Sequence, residues 1–188
     1  MHNHQNPWKI LDQRPVYDNP WIRVTEFQVL NPSGGQGIYG KVHFKNRAIG
    51  VVPLDAEFNI YLVGQYRFVL DQYSWEIPEG GGGMEEEPLA AAKRELLEET
   101  GLLAKHWEKM LTLHLSNSVS DEFSVIYLAR ELEQQKPMPD ETEALTIKKI
   151  PFAEAQVMLE SGAITDAMSV AAIQRVQLLL LQGKLKSK

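Results

Sequence analysis

GGGGMEEEPLAAAKRELLEETGL, Gly80 to Leu102, is the stretch on which the reading of this chain turns. From Glu86 to Thr100 its composition strongly favours a helix, with Pro88 near the start and Gly101 as a stop. At about 100° per residue, Glu95 and Glu99 fall one turn apart on one stripe, and Glu98 flanks it. Leu89, Ala92, Leu96 and Thr100 gather on a neighbouring face suited to packing on a sheet. Arg94 precedes Glu98 by one helical turn and is placed to pair with it. The predicted helix is therefore apolar on one face and carries a compact cluster of carboxylates beside it. Carboxylates so close repel one another and resist ionisation unless a cation compensates. Hard oxygen donors in such number suit Mg²⁺ or Mn²⁺. The glycines Gly80 to Gly83 read as a loop that allows close backbone approach to a ligand, and a carbonyl such as that of Glu79 would complete a metal shell. Taken singly, an acidic stripe is also a solvated helix face and a glycine run is also a plain loop. Their order along the chain is what carries information.

Outward from this stretch, residues 1–18 read as an irregular start. Trp21 to Leu30 has β-rich composition, Asn31-Pro32-Ser33-Gly34-Gly35 is a turn, and Ile38 to Phe44 is the returning strand of a hairpin. Ala48 to Pro53, Asn59 to Gln65 and the short Trp75 to Ile77 are further strand candidates. Beyond the helix, Trp107 to His114 and Phe123 to Glu131 read as strands, Gln134 to Glu143 as a polar loop, and Ala144 to Ile150 as a last strand. Phe152 to Glu160 and Asp166 to Gln182 read as helices, the second capped by Thr165 or Asp166 and ended by Gly183. The expected class is α+β, an α/β/α sandwich with a mixed sheet between helices, preceded by an antiparallel β arm over residues 1–45.

With 188 residues, 44% apolar and 23% charged, the chain matches one globular domain with a small appendage. It has no cysteine, which excludes disulfides, thiolate metal sites and a cysteine nucleophile. The net charge of −6 argues against nonspecific binding to nucleic acid or to an anionic membrane surface. A carboxylate-bound divalent cation would be needed to attract an anionic substrate. No apolar run approaches a membrane span and the first ten residues are polar, so a cytoplasmic location is expected. The five histidines form no ligand pattern.

The quoted stretch resembles the signature of the Nudix family throughout: Gly80, Glu86, Arg94, Glu95, Leu96, Glu98, Glu99, Gly101 and Leu102 stand at its defining positions. The resemblance implies a mixed sheet sandwiched between helices, a divalent cation held by a loop–helix–loop, and hydrolysis of a nucleoside diphosphate linked to another moiety. Residues 46–188 would be the catalytic domain. By that resemblance Glu95 and Glu99 are the principal metal ligands and Glu98 a further one. Glu86 is the glutamate at the helix start, and Arg94 the arginine that orients carboxylates from behind.

Gln65-Tyr66-Arg67 and Trp75-Glu76-Ile77-Pro78-Glu79-Gly80 are similar to the approach to this signature in ADP-ribose and nucleoside diphosphate sugar pyrophosphatases. That subfamily implies a homodimer with exchanged N-terminal arms, whose aromatic residues stack on the nucleobase. Trp21 and Tyr39 are the candidates, although Trp21 also reads as core. Arg67 would contact the diphosphate, or else serve as a structural ion pair; Glu76 and Gly80 belong with it in the substrate-binding segment. A catalytic glutamate would come from the loop before the last core strand, as Glu143 or Glu141, with Glu122 on another loop and Glu98 on the helix as further candidates for the general base. Ser116-Asn117-Ser118-Val119 lacks a proline that ADP-ribose pyrophosphatases tend to carry there, which favours a broader nucleoside diphosphate sugar substrate. Dinucleoside polyphosphates, or a sensor that binds without hydrolysis, are the alternatives.

Overall fold

The computed structural model of the chain describes residues 5–135 and 145–185. They fall into two compact units. One runs up to Asn46 and includes Ser116–Glu122; the other comprises Arg47–Leu115 and the chain from Phe123 onward.

The first unit is built on a three-stranded antiparallel sheet, in the order β1 (Lys9–Asp18), β2 (Ile22–Leu30) and β3 (Gln36–Phe44). The β2–β3 turn forms where Asn31 folds its side chain back to accept from the Ser33 and Gly35 N–H groups, with Gly34 at φ 86°. The expectation of an irregular start is corrected here, since residues 9–18 are a strand. Every residue of β1 is exposed, so no burial pattern marks it in the sequence. Pro15, which cannot donate to a ladder, sits where the register shifts between Pro15 and Tyr17 on an edge strand. The segment Ser116–Glu122 is held on β3 by Val42 N–H to the Val119 carbonyl (2.8 Å), Asp121 N–H to the Val42 carbonyl (3.1 Å) and Phe44 N–H to Asp121 Oδ1 (3.0 Å).

The second unit contains a four-stranded mixed sheet of β4 (Asn46–Pro53), β7 (Glu79–Gly83), β8 (Leu102–His114) and β9 (Phe123–Gln134) in the order β7-β4-β9-β8. A three-stranded antiparallel sheet of β5 (Asn59–Arg67), β6 (Gln72–Glu76) and β10 (Thr146–Pro151) runs β10-β5-β6. Three helices complete it, α1 (Pro88–Thr100), α2 (Phe152–Glu160) and α3 (Ala167–Leu181).

The period of two along β4 and β9 explains the layering. Ile49, Val51, Val125, Tyr127 and Ala129 turn to one side, where they meet Ala91, Ala92 and Leu96 of α1. Val52, Leu54, Ile126 and Leu128 turn to the other, where they meet Met168, Ala172, Ile173 and Val176 of α3 and Ile60 and Leu62 of β5. Central strands buried on both faces read as continuous apolar runs, as AIGVVP does. The expected α+β sandwich with a mixed sheet between helices is what the structure has.

Two local expectations are corrected. The glycines are not a loop: Glu79–Gly83 is the edge strand β7. Glycine suits this edge because a Cβ at Gly82 would press on Ile49 and Ala91. The helix begins at Pro88 and not at Glu86, because Glu87 takes the N-cap and its side chain accepts from Leu89 N–H at 2.7 Å. Gly101, at φ 69°, ends it in the left-handed conformation and returns its N–H to the Leu97 carbonyl.

Candidate active site

One face of α1 is buried, and two of the residues on it are glutamates: Glu95 is 8% exposed and Glu99 2%. Buried carboxylates must be paired or hydrogen-bonded. Glu99 Oε2 accepts from the backbone N–H of Glu79 at 2.9 Å, so β7 reaches across to hold it. Glu95 Oε1 accepts from Arg94 Nη1 at 2.7 Å, and the same nitrogen reaches Glu98 Oε2 at 3.0 Å. Arg94 Nη2 bonds Glu86 Oε2 (3.2 Å) and the Gly81 carbonyl (2.9 Å). One guanidinium therefore ties together the strand, the turn before the helix and two carboxylates of the cluster. Its hydrogen bond holds the Glu86 carboxyl below the ordinary carboxylate value. Partial burial opposes the charge on Arg94, but its carboxylate partners outweigh it and push its pKa up.

The strand beside this face has no room for side chains. A Cβ at Gly80 would overlap the Glu95 carboxyl group. The peptide of residue 80 thus lies directly against a carboxylate.

A second constellation adjoins it through Glu79. Arg67 Nε bonds both oxygens of Glu76 at 3.0 Å, and Arg67 Nη2 bonds Glu76 Oε2 and, at 2.8 Å, Glu79 Oε1. Glu76 is only 2% exposed. The other Glu79 oxygen is buried without a hydrogen-bond partner. Burial, then the nearby Asp166 and Glu76 charges, push the Glu79 carboxyl well above its ordinary value despite Arg67. A cavity of about 500 Å³ opens here, lined among others by Gln65, Arg67, Ser74, Glu76, Glu79 and Asp166.

These features fit a divalent cation. The donors are all oxygen, the bare Gly80 backbone lies directly against the Glu95 carboxyl group, and Glu79 keeps a buried oxygen unsatisfied. Among the described residues no three carboxylates already close round one point, and Arg94 supplies the compensating charge to Glu95 and Glu98.

The other candidates belong to the first unit or lie outside the described residues. Trp21 and Tyr39 belong to the first unit. Trp21 is 65% exposed. Tyr39 donates its hydroxyl to the Ser118 carbonyl at 2.6 Å and its ring meets Trp8 edge-on at 5.4 Å. Glu122 lies in the same unit, at the end of the segment held on β3. Glu141 and Glu143 lie outside the described residues. Sequence reasoning anticipated only the carbonyl of Glu79 and missed its side chain. It took Asp166 only as a helix cap, whereas that charge also acts on Arg67 and Glu79. No linear signal joins positions so far apart.

The chain is similar in sequence and in fold to known proteins. Residues 44–172 match the NUDIX domain, and residues 8–42 match the nucleoside diphosphate sugar hydrolase N-terminal domain. The chain belongs to the Nudix hydrolase family. It is 35% identical over 133 residues to an ADP-ribose pyrophosphatase of Bacillus subtilis, covering 70% of this chain and 72% of that protein. It is likewise 35% identical over 153 residues to an ADP-ribose pyrophosphatase of Mycobacterium tuberculosis, covering 79% and 73%. In fold it is similar to a crystal structure of an ADP compounds hydrolase, with a TM-score of 0.84 and 24% identity over 95% of this chain and 97% of that one. Nudix hydrolases generally need a divalent metal ion.

Proposed function

We propose that the chain hydrolyses the diphosphate bond of ADP-ribose or of nucleoside diphosphate sugars, using Mg²⁺ with Mn²⁺ as a substitute. The products are a nucleoside monophosphate and a sugar phosphate. The observation that carries this is the cluster of Glu95, Glu98 and Glu99 on one helix, with Glu95 against the bare backbone of Gly80 and Glu99 held by the Glu79 N–H. In a chain of net charge −6, such a cluster receives a diphosphate only if a cation reverses its sign.

In this reading Glu95, Glu99, Glu98 and Glu79 hold the metal, and Arg94 with Glu86 orients their carboxylates. When bound, the cation neutralises the diphosphate and polarises the bond to be broken. Arg67, backed by Glu76, contacts the phosphates, and Gly80 contributes its backbone. Trp21 and Tyr39 stack on the nucleobase. Water attacks one phosphorus, its oxygen forming the new P–O bond while the bridging P–O bond breaks. The proton goes to a carboxylate, for which Glu143, Glu141, Glu98 and Glu122 are the candidates. The protein acts as a homodimer that exchanges its N-terminal arms, supported by the exposed apolar side chains of Ile10, Leu11, Val16, Tyr17 and Ile38. We place it in the cytoplasm, acting on a small-molecule substrate and not on nucleic acid or membrane.

A panel of ADP-ribose, nucleoside diphosphate sugars and dinucleoside polyphosphates, incubated with Mg²⁺ in ¹⁸O-labelled water, tests this. Label in a nucleoside monophosphate or a sugar phosphate from the first two classes supports it. Turnover of dinucleoside polyphosphates alone would replace the substrate, and binding of ADP-ribose without any hydrolysis would replace the enzyme with a sensor.

A further inference from the structure

The backbone that braces the helix carboxylates is pinned at consecutive residues by different elements. Ile77 donates its N–H to Ser169 Oγ of α3 at 2.9 Å. The Pro78 carbonyl accepts from Val51 N–H of β4 at 2.8 Å. Glu79 N–H holds Glu99 Oε2, and Gly80 lies against the Glu95 carboxyl group. Of these anchors, that at Ile77 comes from the opposite side of the mixed sheet from α1. Ile77 and Ser169 are both fully buried, so water cannot replace the hydroxyl as acceptor. Ser169 is itself fixed, because its N–H donates to the N-cap carboxylate of Asp166 at 2.7 Å. The neighbouring Met168 closes against the strand, for a Cβ on Gly50 would overlap its terminal methyl and crowd Ile77. The first turn of α3 is thus tied to the segment at residue 77 by a buried hydrogen bond and by packing of Met168 beside Ile77.

We propose that Ser169 is a positioning residue for Glu99 and Glu95, setting through Ile77–Gly80 where the two carboxylates stand. It acts on metal binding from the far side of the sheet and touches neither metal nor substrate. The inference rests on the reading of these glutamates as metal ligands. Removing its hydroxyl frees the Ile77 N–H and lets the Glu79 peptide drift from Glu99.

The test is Mn²⁺ binding to the full chain, followed by electron paramagnetic resonance without substrate. Ser169→Ala is expected to weaken binding about tenfold, the scale on which groups behind metal ligands act. Ala172→Gly, on the same buried face of α3, serves as a control for stability. It is expected to lower the midpoint of chemical denaturation and to leave Mn²⁺ affinity unchanged. Equal effects of the two substitutions, or none from Ser169→Ala, would overturn the proposal. If Ser169→Ala does not fold, hydrogen exchange on the unaltered protein decides. Added Mg²⁺ is expected to slow exchange at the amides of Ile77, Glu79 and Gly80 and of residues 166–170 together, since coupling between sites is reciprocal. Slowing confined to α1 overturns the proposal. An unaltered protein that binds no Mn²⁺ overturns the metal reading itself, which separates that failure from this one.

Discussion

Gly80 shows how much one missing side chain does. It stands where a Cβ would collide with the end of a flexible glutamate, and not with backbone, so the fold can absorb a methyl group while the carboxylate cannot stay in place. Gly80→Ala is expected to keep its circular dichroism spectrum and to lower turnover by about 10- to 100-fold, the usual effect of displacing a metal ligand's surroundings. A fully active variant would separate Glu95 from the chemistry. Asp121 gives a residue-level prediction of opposite kind. Burial raises its pKa, but Lys41, His43 and the Phe44 N–H together bring it from 3.8 to about 2. A carboxyl lowered on folding stabilises the folded state above its ordinary value and loses that contribution as pH falls through the lowered one. Asp121→Asn should therefore melt earlier than the parent at pH 6, and the two should converge near pH 2. Melting curves at both pH values check this, and a gap that persists at pH 2 contradicts it. Glu95, Glu98, Glu99 and Arg94 were legible in the sequence because helical periodicity is local. The Glu76–Arg67–Glu79 pairing and the bond from Ser169 to Ile77 were not, since only the folded sheet brings those positions together.

At the scale of elements, boundaries followed local chemistry. The Glu87 cap moved the start of α1 past Glu86, which freed Glu86 to reach Arg94. Gly101 closed the helix as expected, at a positive φ that L side chains avoid. Gly101→Ala is expected to destabilise the protein by about 1 kcal/mol, measured by chemical denaturation. No measurable loss would mean that the turn relaxes without strain. The central strands were readable because they are apolar on both faces. The strands β1 and β7 escaped for opposite reasons. The first has no buried residue to set a period, and the second is made almost wholly of glycine, whose pairing depends on the neighbour it lies beside.

For the whole molecule, the net charge of −6 first reads as a bar to anionic partners. The structure gathers part of that charge into one cluster on α1 and β7, where a bound cation would invert the local sign, as the proposed diphosphate substrate requires. The proposed exchange of arms requires a dimer. Sedimentation equilibrium is expected to return twice the chain mass, and a monomer at all concentrations would remove the exchange. In the proposed reaction, hydrolysis depends on the carboxylates of α1 that hold the cation. The most direct measurement is turnover of ADP-ribose with Mg²⁺ by the Glu98→Gln/Glu99→Gln double variant, with folding monitored by circular dichroism. The expected result is a native spectrum with turnover lost by at least about 10³-fold. A double variant that is folded and turns over ADP-ribose at the parent rate would show that these carboxylates are dispensable for hydrolysis.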